Sequence, residues 1–441
     1  MSLPKNCLYT NKINSSYAKN YQSVIQPQNG NDATYGDTII FNIPTGNNLV
    51  MSGADTILKF DFTIKGTATT GNAVNTVLIN KSGGYSCIQR MRLFHGGTLL
   101  SDIDNYGNLL DMLISAQQST DSLASKYKIL AGTDIGGGAS LTITALAADS
   151  ERSVSYCLPL MSILSLTNNY VPLFAMSGSP LRLELQVVSN INQICKSFVQ
   201  VLSPTAKSVL SRIELVCNMI ELSDTGMNII KNSIGNGPLQ WVCQDYRNYG
   251  NNVVLSAGSD TTVTVPVPAK FNSLNSLFFS FRQNAAGVWK HQANESNKFD
   301  LDEYFLRIGS RTFPAKSPNT VSEFYSELLR AFGTVSDVNY ECSISLEQYN
   351  KDFPVIQAGA EGPAATNQQN TGAFYIGMDL ESYSNTSMDT VYTGTNTSTD
   401  DIFFTPRFGA QGAAASNIRI DSYALYDQLI LIQNGVCSVN N

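Results

Sequence analysis

Two histidines, His95 and His291, are all the imidazole chemistry this 441-residue chain carries. Imidazole is the group most used to move protons near neutral pH, so general acid–base catalysis has little to work with. His95 precedes Gly96-Gly97, a run of the kind that shapes an esterase oxyanion turn, but no Gly-x-Ser-x-Gly elbow supplies a nucleophile. It reads as a turn histidine, and His291, after Trp289-Lys290, as a solvated one. Asp300, Asp302 and Glu303 have the makings of a cation site or a carboxylate pair, yet they also charge the entry to a strand over Tyr304–Ile308, which is the simpler reading. Asp102-Ile103-Asp104-Asn105-Tyr106-Gly107 opens like a calcium loop, but Tyr106 takes a ligand position and Leu113 stands where the bidentate acid belongs. Gly136-Gly137-Gly138 lacks the lysine of a phosphate cradle, and no Gly-x-x-x-x-Gly-Lys run occurs. The 8 cysteines include no Cys-x-x-Cys pair, so buried free thiols are expected. The chain is therefore expected to have no catalytic residue, no metal and no cofactor, and not to be an enzyme. Tyr383 and Tyr392, aromatics among polar loops, are the candidates for a sugar-binding alternative.

Composition points the same way. Apolar residues make up 43% of the chain, with 20 Tyr and 20 Phe, enough for large cores. Charged residues reach only 14%, so the surface must be built from Asn, Ser, Thr and Gln. A net charge of -7 argues against a phosphate-binding face, and no sequence-specific nucleic-acid binding is expected. The acids are unevenly spread: Lys5, Lys12 and Lys19 all precede the first acid, Asp32, which makes the N-terminal segment a mildly basic arm. The N-terminus shows no apolar signal-peptide region and no run is long enough to span a membrane, so synthesis in the cytoplasm is expected.

The elements that would position any site are mainly strands. Alternation such as Leu181-Arg182-Leu183-Glu184-Leu185-Gln186-Val187 puts one apolar face toward a core, and helical periodicity is scarce. The second half repeats the first in order, about two hundred residues later. Asp37–Pro44 matches Thr261–Pro268 as a first strand, and Leu58, Phe60 and Phe62 match Leu277, Phe279 and Phe281 as a second. Met91–Gly96 followed by a helix over Leu109–Leu113 matches Tyr304–Gly309 followed by a helix over Val321–Leu329. Leu181–Val187 is aligned with Phe374–Leu380, and a terminal strand from Arg212 with one from Arg419. Thr133–Ser150, Gln357–Gly372 and Ser382–Ser416 read as long exposed loops. The expected fold is all-β, two tandem eight-stranded jelly-roll sandwiches with short helices in the loops: an arm over 1–34, a first jelly roll over 35–225 and a second over 226–441.

Met91-Arg92-Leu93-Phe94-His95-Gly96-Gly97 through Asp104-Asn105-Tyr106-Gly107-Asn108-Leu109-Leu110, and the closing Asp421-Ser422-Tyr423-Ala424-Leu425-Tyr426-Asp427, carry a resemblance. With two tandem sandwiches, low charge and large polar loops, the chain resembles a double jelly-roll major capsid protein, and is most similar to those of polinton-like viruses and virophages. The resemblance implies a homotrimer that forms a pseudo-hexagonal brick tiling the icosahedral shell of a double-stranded DNA virus. Its implied partners are neighbouring capsomers, penton and minor capsid proteins and a host surface receptor, its location the virion, and its arm contacts Lys5, Lys12 and Lys19. The alternatives are a tandem jelly-roll carbohydrate-binding protein and a minor virion or receptor-binding protein.

Overall fold

A computed structural model describes residues 18–65, 74–133, 142–146, 151–190, 193–197, 208–235, 237–283, 295–352, 372–382, 393–411 and 416–441. In the first half the strands are β1 (Ala18–Ile25), β2 (Thr38–Ile43), β3 (Leu49–Lys65), β4 (Val74–Ile79), β5 (Ile88–His95), β6 (Thr98–Asp104), β7 (Thr142–Leu146), β8 (Glu151–Pro159), β9 (Leu181–Val187), β10 (Cys195–Ser197) and β11 (Ser208–Leu222). The second half contributes β12 (Leu239–Leu255), β13 (Thr261–Thr262), β14 (Val265–Val267), β15 (Leu274–Gln283), β16 (Leu301–Ile308), β17 (Arg311–Phe313), β18 (Tyr375–Asp379), β19 (Ile402–Phe408), β20 (Ser416–Gln433) and β21 (Val436–Asn440). The helices are α1 (Tyr106–Gln117), single turns α2 (Thr120–Ser122) and α3 (Lys128–Ala131), α4 (Asp224–Ile234), α5 (Val321–Ala331) and α6 (Leu346–Tyr349).

Each half is a sandwich of two antiparallel sheets with the same strand order. The first pairs β1-β11-β3-β8 with β2-β9-β5-β6, and the second pairs β12-β20-β15-β18 with a sheet in which β13 and β14 together flank β19-β16-β17. The repeat read in the sequence is thus a repeat of topology. It extends to the helices, since α1 follows the β5–β6 hairpin as α5 follows β16–β17. Gly96 and Gly309 turn those two hairpins at φ 58° and 56°, a backbone region that favours glycine because it has no Cβ. A small additional sheet, β10-β4-β7, stands apart from the first sandwich's two sheets.

Alternation puts the expected side chains inside. Leu181, Leu183, Leu185 and Val187 of β9 are buried, while Arg182 and Glu184 pair at 3.1 Å on the outer face. The second core is aromatic: Phe279 stacks on Phe404 with ring centroids 3.9 Å apart, and Phe281 meets Phe408 edge-on at 5.6 Å. Helix α5, capped by the Thr320 hydroxyl, drives Phe324 against Tyr304 and Phe374.

Four expectations change. Asp37–Pro44 and Thr261–Pro268 hold β2 and the β13–β14 pair, but neither is a first strand, because β1 and β12 precede them. Residues 18–25, assigned to the arm, form an edge strand paired with β11. The counterpart of β9 is β19, not Phe374–Leu380, whose strand β18 takes the place of β8. The cause is local: Ile402–Phe408 lies inside the Asn-, Thr- and Ser-rich stretch read as a loop, yet Ile402, Phe404 and Phe408 are core residues. Residue 226, the expected start of the second half, falls inside α4.

Candidate assembly surfaces and the seam between the halves

The residues singled out for chemistry are dispersed. His95 ends β5 at 3% exposure with Nε2 3.1 Å from the Met176 carbonyl, so it is a buried packing residue at the mouth of its turn. The acid cluster is gathered around one cation: Arg407 contacts Asp260 at 3.1 Å, Glu303 at 3.4 Å and Asp302 at 4.0 Å, while the Asp300 backbone N–H donates to Asp352. Asp102 is occupied by Arg90, which donates from Nε at 2.7 Å and Nη2 at 2.6 Å. Cys87, Cys217, Cys243 and Cys437 are buried free thiols, and burial pushes Cys217 up to about 12 and Cys437 to about 11. His291, Gly136–Gly138, Tyr383 and Tyr392 lie outside the described residues, as do Lys5 and Lys12. Lys19 is on β1, exposed and in register with Glu221 of β11. Strand β1 pairs on one side only, and its Tyr21 and Val24 are exposed, so among the described residues it presents an open sheet edge.

The most constructed region is the seam where the two halves meet. The outer face of the β12-β20-β15-β18 sheet is covered, partly by α1 of the first half, and this is why β15 is buried on both faces. The segments Asp104–Leu110 and Asp421–Asp427 meet there. Asn105 Nδ2 donates to Asp421 Oδ1 at 3.1 Å, Asn108 Nδ2 donates to the Tyr423 hydroxyl at 2.8 Å, and that hydroxyl donates to the Asn105 carbonyl at 3.1 Å. Asn108 also donates to Ser280 Oγ at 2.9 Å. Asn105 takes a left-handed conformation, φ 49°, at the start of α1, a region that asparagine tolerates better than most residues.

Buried charges sit in the same seam. Lys81 Nζ lies 2.7 Å from Asp111 Oδ2, at 7% and 4% exposure, and also donates to the Gly372 carbonyl and the Tyr375 hydroxyl of the second half. Tyr375 in turn donates to Asp111 at 2.8 Å. Burial raises the Asp111 carboxyl above its ordinary range, with Lys81 and Tyr375 pulling the other way. Asp421, fully buried, is held by Arg282 Nε at 2.7 Å and Arg419 Nε at 2.9 Å. On β12, Asp245 accepts from Ser101 Oγ at 2.9 Å and from Tyr426 at 3.0 Å, and burial pushes it up to about 7. Lys81, Asp111, Asp245 and Arg282 stand in no motif of catalytic or metal-ligand spacing, and Asp421 only opens the segment Asp421–Asp427 that carries the resemblance. Arg282 has a local signal, a charge closing the apolar, strand-like run Leu277-Phe278-Phe279-Ser280-Phe281, and Asp111 one inside the apolar helical run Leu109–Ile114, whereas Lys81 sits among polar turn residues.

The sequence matches no protein-family model and no curated protein. Solved structures do match over nearly the whole chain. The Sputnik virophage cryo-EM structure is similar with a TM-score of 0.62 and 9% identity, covering 100% of this chain and 92% of that one. The Faustovirus major capsid protein is similar with a TM-score of 0.59 and 11% identity over 97% and 93% of the two chains. The mavirus major capsid protein reaches 0.54 with 11% identity over 100% and 93%. The likeness covers both sandwiches, and the fold of this chain is the double jelly roll of these viral capsid proteins.

Proposed function

We propose that this chain is the major capsid protein of an icosahedral double-stranded DNA virus, a structural subunit of the virion and not a catalyst. The observation that carries this reading is the match, over 97–100% of the chain, to major capsid proteins that are themselves covered over 93% of their length. In this reading the chain divides into an arm over 1–34, whose residues 18–25 add β1 to the edge of the first sandwich, and jelly rolls over 35–225 and 226–441, with α4 spanning the junction. Three copies make a pseudo-hexagonal brick, which tiles the shell beside neighbouring bricks, penton and minor capsid proteins, with outer loops open to a host receptor. The arm lysines Lys5, Lys12 and Lys19 contact neighbouring capsomers. A low-charge, amide-rich surface supports such packing, because like molecules repel weakly and meet through polar, hydrated contacts. Native mass measurement with electron microscopy of the same sample tests the proposal. A species of three chain masses with a hexagonal outline, or spontaneous shells, is the expected result; a monomer that does not assemble at high concentration overturns it.

A further inference from the structure

We propose that Asp245 is a proton-operated latch on the seam between the two jelly rolls, closed when its carboxyl is neutral and loosened when it is ionised. The inference concerns the single chain and stands whether or not the chain builds shells. Its basis is a contrast among the three carboxylates bonded across the seam. Asp111 has Lys81 at 2.7 Å, and Asp421 has Arg282 and Arg419. Asp245, at 0% exposure, forms no ion pair among the described residues. Its two oxygens receive one hydroxyl each, Ser101 from β6 of the first half and Tyr426 from β20 of its own sheet, and the Tyr246 backbone N–H adds a third bond. Both hydroxyls can also accept, so a neutral carboxyl is satisfied in the same place, whereas an ionised one is buried without a cation.

The surrounding groups give Asp245 hydrogen bonds from Ser101, Tyr426 and the Tyr246 backbone, but no cation in contact with it among the described residues. On β12 itself stand Cys243, Tyr246 and Arg247, and the Arg247 charge is the weakest influence acting on the carboxyl. Strand β20 brings Tyr426 and a second acid, Asp427, which is engaged by Ser273, Asn275 and Gln244. On β6, Ser101 is flanked by Asp102, already paired with Arg90, and by Asp104 two residues further. Burial is therefore the dominant influence, and it places the titration near 7. The neighbouring bridge from Gln428 Nε2 to the Leu100 carbonyl, 2.8 Å, ties the same strands together, so loosening at Asp245 acts on both links.

Opening the seam would hydrate the carboxyl and return it to an ordinary value near 4. Between about 4 and 7 each opening event then releases a proton, so the opening equilibrium rises about tenfold per pH unit and levels off above about 7. Cys243 is a built-in reporter: its thiol is fully buried, with Sγ 3.7 Å from the Gln428 carbonyl, two residues from Asp245. The experiment is alkylation of the full-length chain between pH 5 and 8, with the Cys243 peptide quantified by mass spectrometry and rates normalised to those of the same peptide in the unfolded chain. The normalised rate is expected to climb about tenfold per unit to pH 7 and then flatten, and to lose that slope in Asp245→Asn. A flat wild-type profile, or a slope that survives in Asp245→Asn, overturns the latch. Should that variant not fold, Ser101→Ala provides the second reading. It removes a hydrogen bond that favours the ionised form, so the break must move to higher pH, and an unmoved break also overturns the proposal.

Discussion

Lys81 shows what a single side chain is worth in this seam. Its ammonium, 7% exposed, bridges Asp111 on α1 to the Gly372 carbonyl and Tyr375 hydroxyl of the second half. Truncating one member of a buried ion pair strands the other, at about 3–5 kcal/mol, whereas replacing both by apolar groups of similar size is often close to neutral. Lys81→Met is therefore expected to lower unfolding free energy by about 3–5 kcal/mol, and Lys81→Met with Asp111→Leu to recover most of it, as read from urea denaturation midpoints. The pH profile of stability carries a second expectation. The folded chain holds the Asp245 proton up to about 7, above the unfolded value, so stability is fullest below pH 4 as far as this group is concerned and is lost as pH rises toward 7. Asp245→Asn should therefore be more stable than wild type above pH 7 and gain nothing near pH 4, measured by thermal melts across that range. None of these roles was legible in the linear sequence. A buried charge is defined by a partner remote in sequence, as Arg282 is from Asp421, and the segments Asp104–Leu110 and Asp421–Asp427, which carry the resemblance, do not announce in the sequence that they meet.

At the scale of elements, legibility followed burial pattern. Strands with one face inward, such as β2 and β9, alternate cleanly and were readable. Strand β15 is buried on both faces, yet Leu277, Phe279 and Phe281 still mark it as a strand by their alternation. What misled was β19, embedded in polar sequence, and with it hidden the fourth element of the repeat was aligned to the wrong strand. Its importance can be weighed directly. Phe404 is fully buried and touches the rings of Phe279, Phe281 and Tyr304, joining the two sheets of the second sandwich. Phe404→Ala should cost about 3–5 kcal/mol through lost burial and the cavity left behind. The checking measurement is differential hydrogen exchange, with protection expected to fall in β15 and β16 more than in β5 and β9. Equal loss in both halves would mean that the seam couples the two cores into one unfolding unit.

At the scale of the whole molecule, the faces and edges of the sheets differ in what they leave uncovered. The second sandwich's β12-β20-β15-β18 sheet is shielded by α1 and the end of α5, where Phe278 stacks on Phe332 at 4.8 Å. Among the described residues β1 of the first sandwich is an edge strand that, like β12 in the second, pairs on one side only, and it carries Lys19, with Lys5 and Lys12 upstream in the sequence. In a chain of net charge -7, a cationic stretch ahead of Asp32 that met like molecules, acidic overall, would be attracted to them electrostatically, and the attraction would weaken with salt. Removing residues 1–17 spares β1 and its pairing with β11, so the fold should keep its melting temperature. If the arm works between bricks and not within them, the truncated chain still forms trimers in native mass spectra but fails to close shells in electron micrographs. Reversing Lys5, Lys12 and Lys19 to glutamate in the intact chain should reproduce the failure at low salt, with the charge of the arm inverted and its length unchanged. Shells from the truncated chain equal in yield to those of the full chain would assign assembly to the sandwich surfaces alone, and the open edge of β1 would then be the first place to look.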